Sequence, residues 1–268
     1  MRVGIIGCGG RMGRLLLAEV LDDERLQLGG GLVRKGSNLA GQDAGVAIGR
    51  APVGVTLSVD PEIIFAQNDV VVDFSTPGAS LEHATIAAAR GKPLVIGTTG
   101  IPAHEEVAIR QEAERTAIVL AANTSVGVIL LAELVQRVAA VLDDDFDIEI
   151  VEMHHRRKVD APSGTALLLG DAAAKGRGVD LQTSSVRARD GHTGARIAGA
   201  IGFAALRGGD VVGDHSVYFA GDGERLVLSH LASDRRIYAK GAIRAARWLI
   251  DRSAGFYTMR DVLGFSDD

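Results

Sequence analysis

The run from Glu152 to Thr165 gathers the groups best able to do chemistry. His154, His155, Arg156, Arg157 and Lys158 sit just ahead of Pro162-Ser163-Gly164-Thr165, in a chain whose formal net charge is −5. Such a local concentration of cations suits a small anionic ligand. Imidazole exchanges protons near neutrality, and a lysine ammonium can donate a proton or hold a carboxylate. Residues 147–153 alternate polar and apolar side chains, which predicts a strand that delivers His154 and His155 at its far end. Pro162 suits the end of a loop, and Ser163 or Gly164 can start a helix running through Ala174. The first turn of that helix leaves backbone N–H groups unpaired at the positive end of its dipole, a favourable place for a carboxylate or phosphate. Adjacent strand residues face opposite ways, so at most one histidine points into a given pocket. Arg156 and Arg157 read as solvated surface. No metal site is expected, because the histidines do not share a face and the one cysteine, Cys8, is remote in sequence.

Bulk properties bound what these residues can serve. With 47% apolar and 24% charged residues in a chain of 268, there is material for one large core or two modest ones. The acidic balance and the scarcity of aromatics argue against nucleic acid as a partner. A lone cysteine makes no internal disulfide and the N-terminus enters a strand directly, so a cytoplasmic protein is expected. The most apolar window, Val126 to Leu142, is broken by Glu133, Gln136 and Arg137 at helical spacing and reads as a packed helix, with no membrane partner expected.

The first half reads as a dinucleotide site. Strand Arg2 to Ile6 runs into Gly7-Cys8-Gly9-Gly10-Arg11-Met12-Gly13 and then a helix, with glycines that let backbone approach a pyrophosphate. The third glycine falls one place later than in the strict pattern, and Cys8 reads as a small turn residue within the cofactor-binding turn. The second strand ends in Val33, Arg34 and Lys35, with no acid before Asp43. Two cations without a carboxylate favour a 2′-phosphate, so NADPH is expected over NADH, which stays possible. Apolar strands over residues 69–75, 93–99 and 117–122, separated by helices over 80–90 and 104–115, predict a Rossmann-type doubly wound parallel sheet of α/β class. Loops at its carboxyl edge, including Gly97-Thr98-Thr99 and Ala121-Ala122-Asn123-Thr124, should border the nicotinamide. Asp73 is assigned loop ordering and no catalytic part.

The second half changes pattern. Strands over 185–189, 200–207, 211–220 and 225–231 follow one another, so an α+β substrate domain with a mixed or antiparallel sheet is expected. Gly208-Gly209-Asp210 and Gly221-Asp222-Gly223 read as turns joining neighbours. A helix over 233–252, capped by Ser233 or Asp234, and a tail over 258–264 close the chain. The expected division is 1–125 for the dinucleotide, 126–233 for substrate and oligomerisation, and 234–268 as a closing helix and tail.

Taken together, the glycine turn, Val95 to Gly100, Ala121 to Val128, Glu152 to Thr165, Ile201 to His215 and Tyr257 to Gly264 make the chain resemble the dihydrodipicolinate reductase family over nearly its whole length. The resemblance implies hydride transfer from a nicotinamide to a cyclic dicarboxylate, giving tetrahydrodipicolinate and water in lysine and diaminopimelate biosynthesis. It also implies that His154 and Lys158 handle protons, that His155, Ser163, Gly164 and Thr165 bind substrate, and that the protein is a homotetramer whose final helix returns to the cofactor domain. Val33 stands where the family often has an acid, and Thr124 replaces a frequent aromatic. Two other functions remain compatible with the first half: a non-catalytic redox sensor, and an amino-acid dehydrogenase on the same architecture.

Overall fold

A computed structural model describes residues 1–265. The chain begins with β1 (Arg2–Ile6), α1 (Arg11–Asp22), β2 (Gln27–Leu32), α2 (Ala44–Ala47), β3 (Leu57–Ser58), α3 (Pro61–Gln67), β4 (Val70–Asp73), α4 (Pro77–Arg90), β5 (Leu94–Ile96), α5 (Ala103–Glu112), β6 (Ala117–Leu120) and α6 (Val126–Val141). The strands are short apolar runs covered on both faces, as parallel strands must be, and Val70, Val71, Val72, Leu94, Val95 and Ile96 are all fully buried. Helix starts follow local chemistry. Asp60 accepts the Glu62 N–H while Pro61 fills the first helical position, and α4 opens on Pro77 and closes on Gly91 in the left-handed region.

A second unit, Gly127–Asp234, has its own core. After α6 come β7 (Asp147–His154), α7 (Gly164–Arg177), α8 (Leu181–Ser184), β8 (Ser185–Val186), β9 (Ile201–Arg207), β10 (Gly213–Gly221) and β11 (Glu224–Ala232). They form a mixed sheet in the order β11-β10-β7-β9-β8. Strand β7 is central, antiparallel to β10 and parallel to β9. One face of this sheet meets α6 and α7 through Ile148, Ile150, Phe203, Val217 and Phe219.

Three expectations need correction here. Gly221-Asp222-Gly223 does join neighbours, but Gly208-Gly209-Asp210 does not, because β7 lies between β9 and β10. The connection instead crosses the end of β7, where Gly208 donates to His154 O (2.9 Å) and His155 N donates to Val211 O (2.8 Å). Strand β8 stops at Val186, and Arg189 instead forms two hydrogen bonds to Glu149. Neither Ser233 nor Asp234 is the cap of the next helix, α9 (Arg236–Leu249), whose cap position falls on Arg235 with no side-chain cap bond.

From Arg235 onward the chain belongs again to the first unit. Helix α9 is followed by β12 (Gly255–Tyr257) and α10 (Met259–Leu263). The last helix is fixed by a capping box between Thr258 and Asp261. Strand β12, too short to be read from sequence, pairs with β6 and completes a parallel sheet in the order β12-β6-β5-β4-β1-β2-β3. Closeness of packing explains Gly241, where a Cβ would lie 1.7 Å from Thr124 O.

Candidate functional site

In the first unit the β1–α1 turn is built from backbone. Gly7 takes φ +88°, and a Cβ there would stand 2.4 Å from Phe74 O; a Cβ at Gly13 would stand 2.1 Å from Gly7 O. Helix α1 begins at Arg11 with Gly10 as a cap that offers no side chain, so its first-turn donors face outward for an anion. Cys8 is buried, donates from Sγ to Ile5 O (3.2 Å), and burial pushes its thiol up to about 12, so it packs as an inert turn residue. Arg34 and Lys35 follow β2 exposed to solvent and unpaired among the described residues. Asp43, the next acid, accepts backbone N–H groups of Gly45, Val46, Val53 and Gly54, so it staples a loop.

Gly97, Thr98 and Thr99 leave β5, and Ala121, Ala122, Asn123 and Thr124 leave β6, at the same carboxyl edge as the glycine turn. Gly97 lies so close to the Phe74 ring that a Cβ would clash at 2.1 Å. Asn123 accepts Ser125 N–H (2.9 Å), and Thr124 Oγ1 donates to Tyr238 O (2.7 Å). Asp73 is fully buried and orders this edge by accepting from Ser75 N, Ser80 Oγ and His83 Nδ1. Two buried hydroxyls there, Ser75 Oγ and Thr98 Oγ1, have no hydrogen-bond partner among the described residues. Uncapped amides, side-chain-free backbone and orphaned hydroxyls fit a dinucleotide along this edge.

In the second unit the basic run divides. Along β7, alternate residues turn inward, which buries Glu152 and His154 on the face toward α7. His155 is half-buried just past the strand, while Arg156 and Arg157 are exposed. Lys158 Nζ donates to both oxygens of Asp160 at 2.8 Å. Ser163 caps α7 by accepting Ala166 N–H (3.1 Å), which places Gly164 and Thr165 in the helix's first turn.

A connected network surrounds His154. Glu152 Oε2 lies 2.6 Å from His154 Nδ1, Glu152 Oε1 accepts Ser163 N–H, and Arg207 bridges both oxygens. His215 Nε2 meets Ser163 Oγ at 3.0 Å, and its ring stands edge-on to His154 with centroids 5.1 Å apart. Burial pushes the His154 imidazole below its ordinary value; Glu152 opposes this only in part, while Lys158 and Arg207 add to it. Burial likewise carries His215 down to about 4. Glu152 resists protonation: burial would raise it, but Arg207 and His154 together outweigh burial. At neutral pH the network therefore holds a carboxylate, a guanidinium and two neutral rings. The sequence alone assigns no role to Glu152, Arg207 or His215. Period-two alternation could have paired Glu152 with His154, whereas Arg207 and His215 arrive on other strands with no periodic link.

The family model described as "Dihydrodipicolinate reductase, N-terminus" matches residues 1–124, and its C-terminus counterpart matches 127–263. The chain belongs to the dihydrodipicolinate reductase family. Proteins named 4-hydroxy-tetrahydrodipicolinate reductase are 54% identical in Rhodopseudomonas palustris BisB18 and 53% identical in Methylocella silvestris BL2, each match covering all of this chain and 98% of the relative. Among solved folds, a dipicolinate-bound dihydrodipicolinate reductase from Paenisporosarcina sp. TG-14 superposes with a TM-score of 0.78 at 24% identity, over 96% of this chain and 97% of that one. An amine dehydrogenase from Mycobacterium smegmatis shares the architecture at a TM-score of 0.61 and 16% identity, covering 97% and 95%. The Rossmann-like parallel sheet with a second mixed sheet is thus the dihydrodipicolinate reductase fold.

Proposed function

We propose that the chain is a 4-hydroxy-tetrahydrodipicolinate reductase that uses NADPH in preference to NADH and works in lysine and diaminopimelate biosynthesis. The observation that carries the activity is the full-length match at 54% identity to a relative of that name. The glycine turn from Gly7 to Gly13, with Gly97 to Thr99 and Ala121 to Thr124, would hold a reduced nicotinamide dinucleotide, which would supply the hydride. In net terms the substrate loses its hydroxyl as water and gains one hydride and one proton.

Hydride addition to a conjugated imine places negative charge on the ring, which a positioned proton donor quenches. His154 fills that role through Nε2, since its Nδ1 is engaged by Glu152. Arrival of a doubly anionic ligand favours the imidazolium and offsets the effect of burial. Lys158 exchanges Asp160 for a substrate carboxylate or gives up a proton, while His155, Gly164 and Thr165 hold a carboxylate at the positive end of α7, whose start Ser163 fixes through bonds to Glu152, Ala166 and His215. The dipicolinate in the Paenisporosarcina protein is a planar dicarboxylate, the class of ligand this cationic cluster suits. For the cofactor, Arg34 and Lys35 beside a strand end that carries Val33 support the 2′-phosphate.

Cytoplasmic location is proposed from the single, buried thiol; no helix among the described residues is long and apolar enough to cross a membrane. The test is steady-state kinetics with NADPH and freshly made substrate. His154→Gln and Lys158→Ala each lower kcat by about 100-fold or more, with NADPH Kd held within about twofold. Wild-type turnover in both variants would refute the site.

A further inference from the structure

His154 is gripped at one nitrogen. A carboxylate only accepts, so the 2.6 Å contact with Glu152 Oε2 puts the hydrogen on Nδ1 and leaves Nε2 to exchange protons. The other oxygen of Glu152 accepts the Ser163 N–H at 3.1 Å, directly before Gly164 and Thr165. Arg207 spans the same carboxylate, Nη1 to Oε2 at 2.7 Å and Nη2 to Oε1 at 2.8 Å, and Nη2 also donates to Asp160 O at 2.7 Å. Asp160 is the residue that holds Lys158. One buried carboxylate and one guanidinium therefore touch the histidine, the helix start and the lysine loop at once.

We infer that Glu152 and Arg207 are positioning residues of the reductase, which fix the tautomer and direction of His154 and lock it to the carboxylate-binding turn of α7 and to the Lys158 loop. This rests on the reading of His154 as the proton-handling group. A pair that merely joined β7 to β9 would have no need of the Nδ1 contact, and would leave the ionisation of His154 unchanged when its charge was removed.

The groups that face His154 are Glu152 on its own strand, Lys158 in the loop beyond, Arg207 from β9 and His215 from β10, which is itself hydrogen-bonded to the uncharged Ser163 at the start of α7. Of these only Glu152 favours the imidazolium; Lys158 and Arg207 oppose it. Losing the Glu152 charge must therefore lower the proton affinity of His154. The high-pH limb of kcat/KM, which requires the protonated ring, then moves to lower pH.

The experiment compares kcat/KM profiles and 15N imidazole shifts of His154 in the intact chain for wild type, Glu152→Gln, Glu152→Asp and the double variant Glu152→Gln/Arg207→Gln. The double variant leaves no unpaired buried charge and so guards against simple misfolding. Glu152→Gln should shift the limb down by about one pH unit or more, the double variant should shift it down by less because the opposing Arg207 charge is lost with it, and both should lower kcat at least ~10-fold with NADPH Kd within about twofold. Glu152→Asp, which keeps the charge, should hold the limb near its wild-type position. If the glutamine variants keep the wild-type limb and the Nδ1–H tautomer while His154→Gln abolishes turnover, the positioning inference fails and the role of His154 stands. If His154→Gln itself turns over normally, the underlying reading fails first.

Discussion

Single side chains in this protein act through what surrounds them. His215 is 2% exposed, and burial holds its imidazole down to about 4, so the folded chain refuses a proton that the unfolded chain takes up near its ordinary 6.5. Between these values the unfolded state binds more protons, so stability is full above about pH 6.5 and is lost as pH falls toward 4, by on the order of 3 kcal/mol for this one group. His215→Gln should therefore lose less Tm between pH 7 and 4.5 than wild type in calorimetric scans; parallel curves would contradict this. Arg34 offers a second residue-level test. Arg34→Ala should raise the Kd for NADPH by about tenfold while NADH changes less than about twofold, and equal weakening of both would remove the 2′-phosphate argument.

At the scale of elements, β10 begins beside the proposed proton donor. Gly213, its first residue, leaves no side chain where a Cβ would lie 2.9 Å from His154 Nε2. Gly213→Ala should cut kcat at least ~10-fold by crowding that nitrogen, and the same crowding of two buried rings should cost about 1–3 kcal/mol of stability. Unchanged kcat would show that Nε2 is not where the chemistry happens. Such contacts mark the limit of what the sequence discloses. The alternation of β7 and the Ser163 helix start are local patterns, and both appear as expected from spacing alone. The Arg207–Glu152 clamp is not local, since its partners are brought together only by the parallel pairing of β7 with β9. The crossing of residues 208–212 over the end of β7 departs from the expected hairpin for the same reason: glycines announce a turn without saying which strands it joins.

Seen whole, the second unit covers only one face of its sheet with helices. The opposite face presents Leu206, Val227 and Leu231, which are 51%, 42% and 70% exposed. Apolar groups on a long sheet face are what an assembly interface would cover, as the homotetramer implied by the family resemblance would require. Leu231→Lys combined with Val227→Glu should reduce the assembled mass in light scattering; an unchanged mass would place the interface elsewhere. The first unit carries a different global consequence. Its sheet is completed by β12 against β6, and Thr124 is covered by α9, yet these pieces lie on either side of Gly127–Asp234 in the chain. During synthesis on the ribosome, the nucleotide-side sheet must therefore wait for its last strand until the entire intervening segment has emerged. That segment is continuous and can settle first, so a nascent chain halted before Arg235 should expose the bare edge of β6 and call on chaperones.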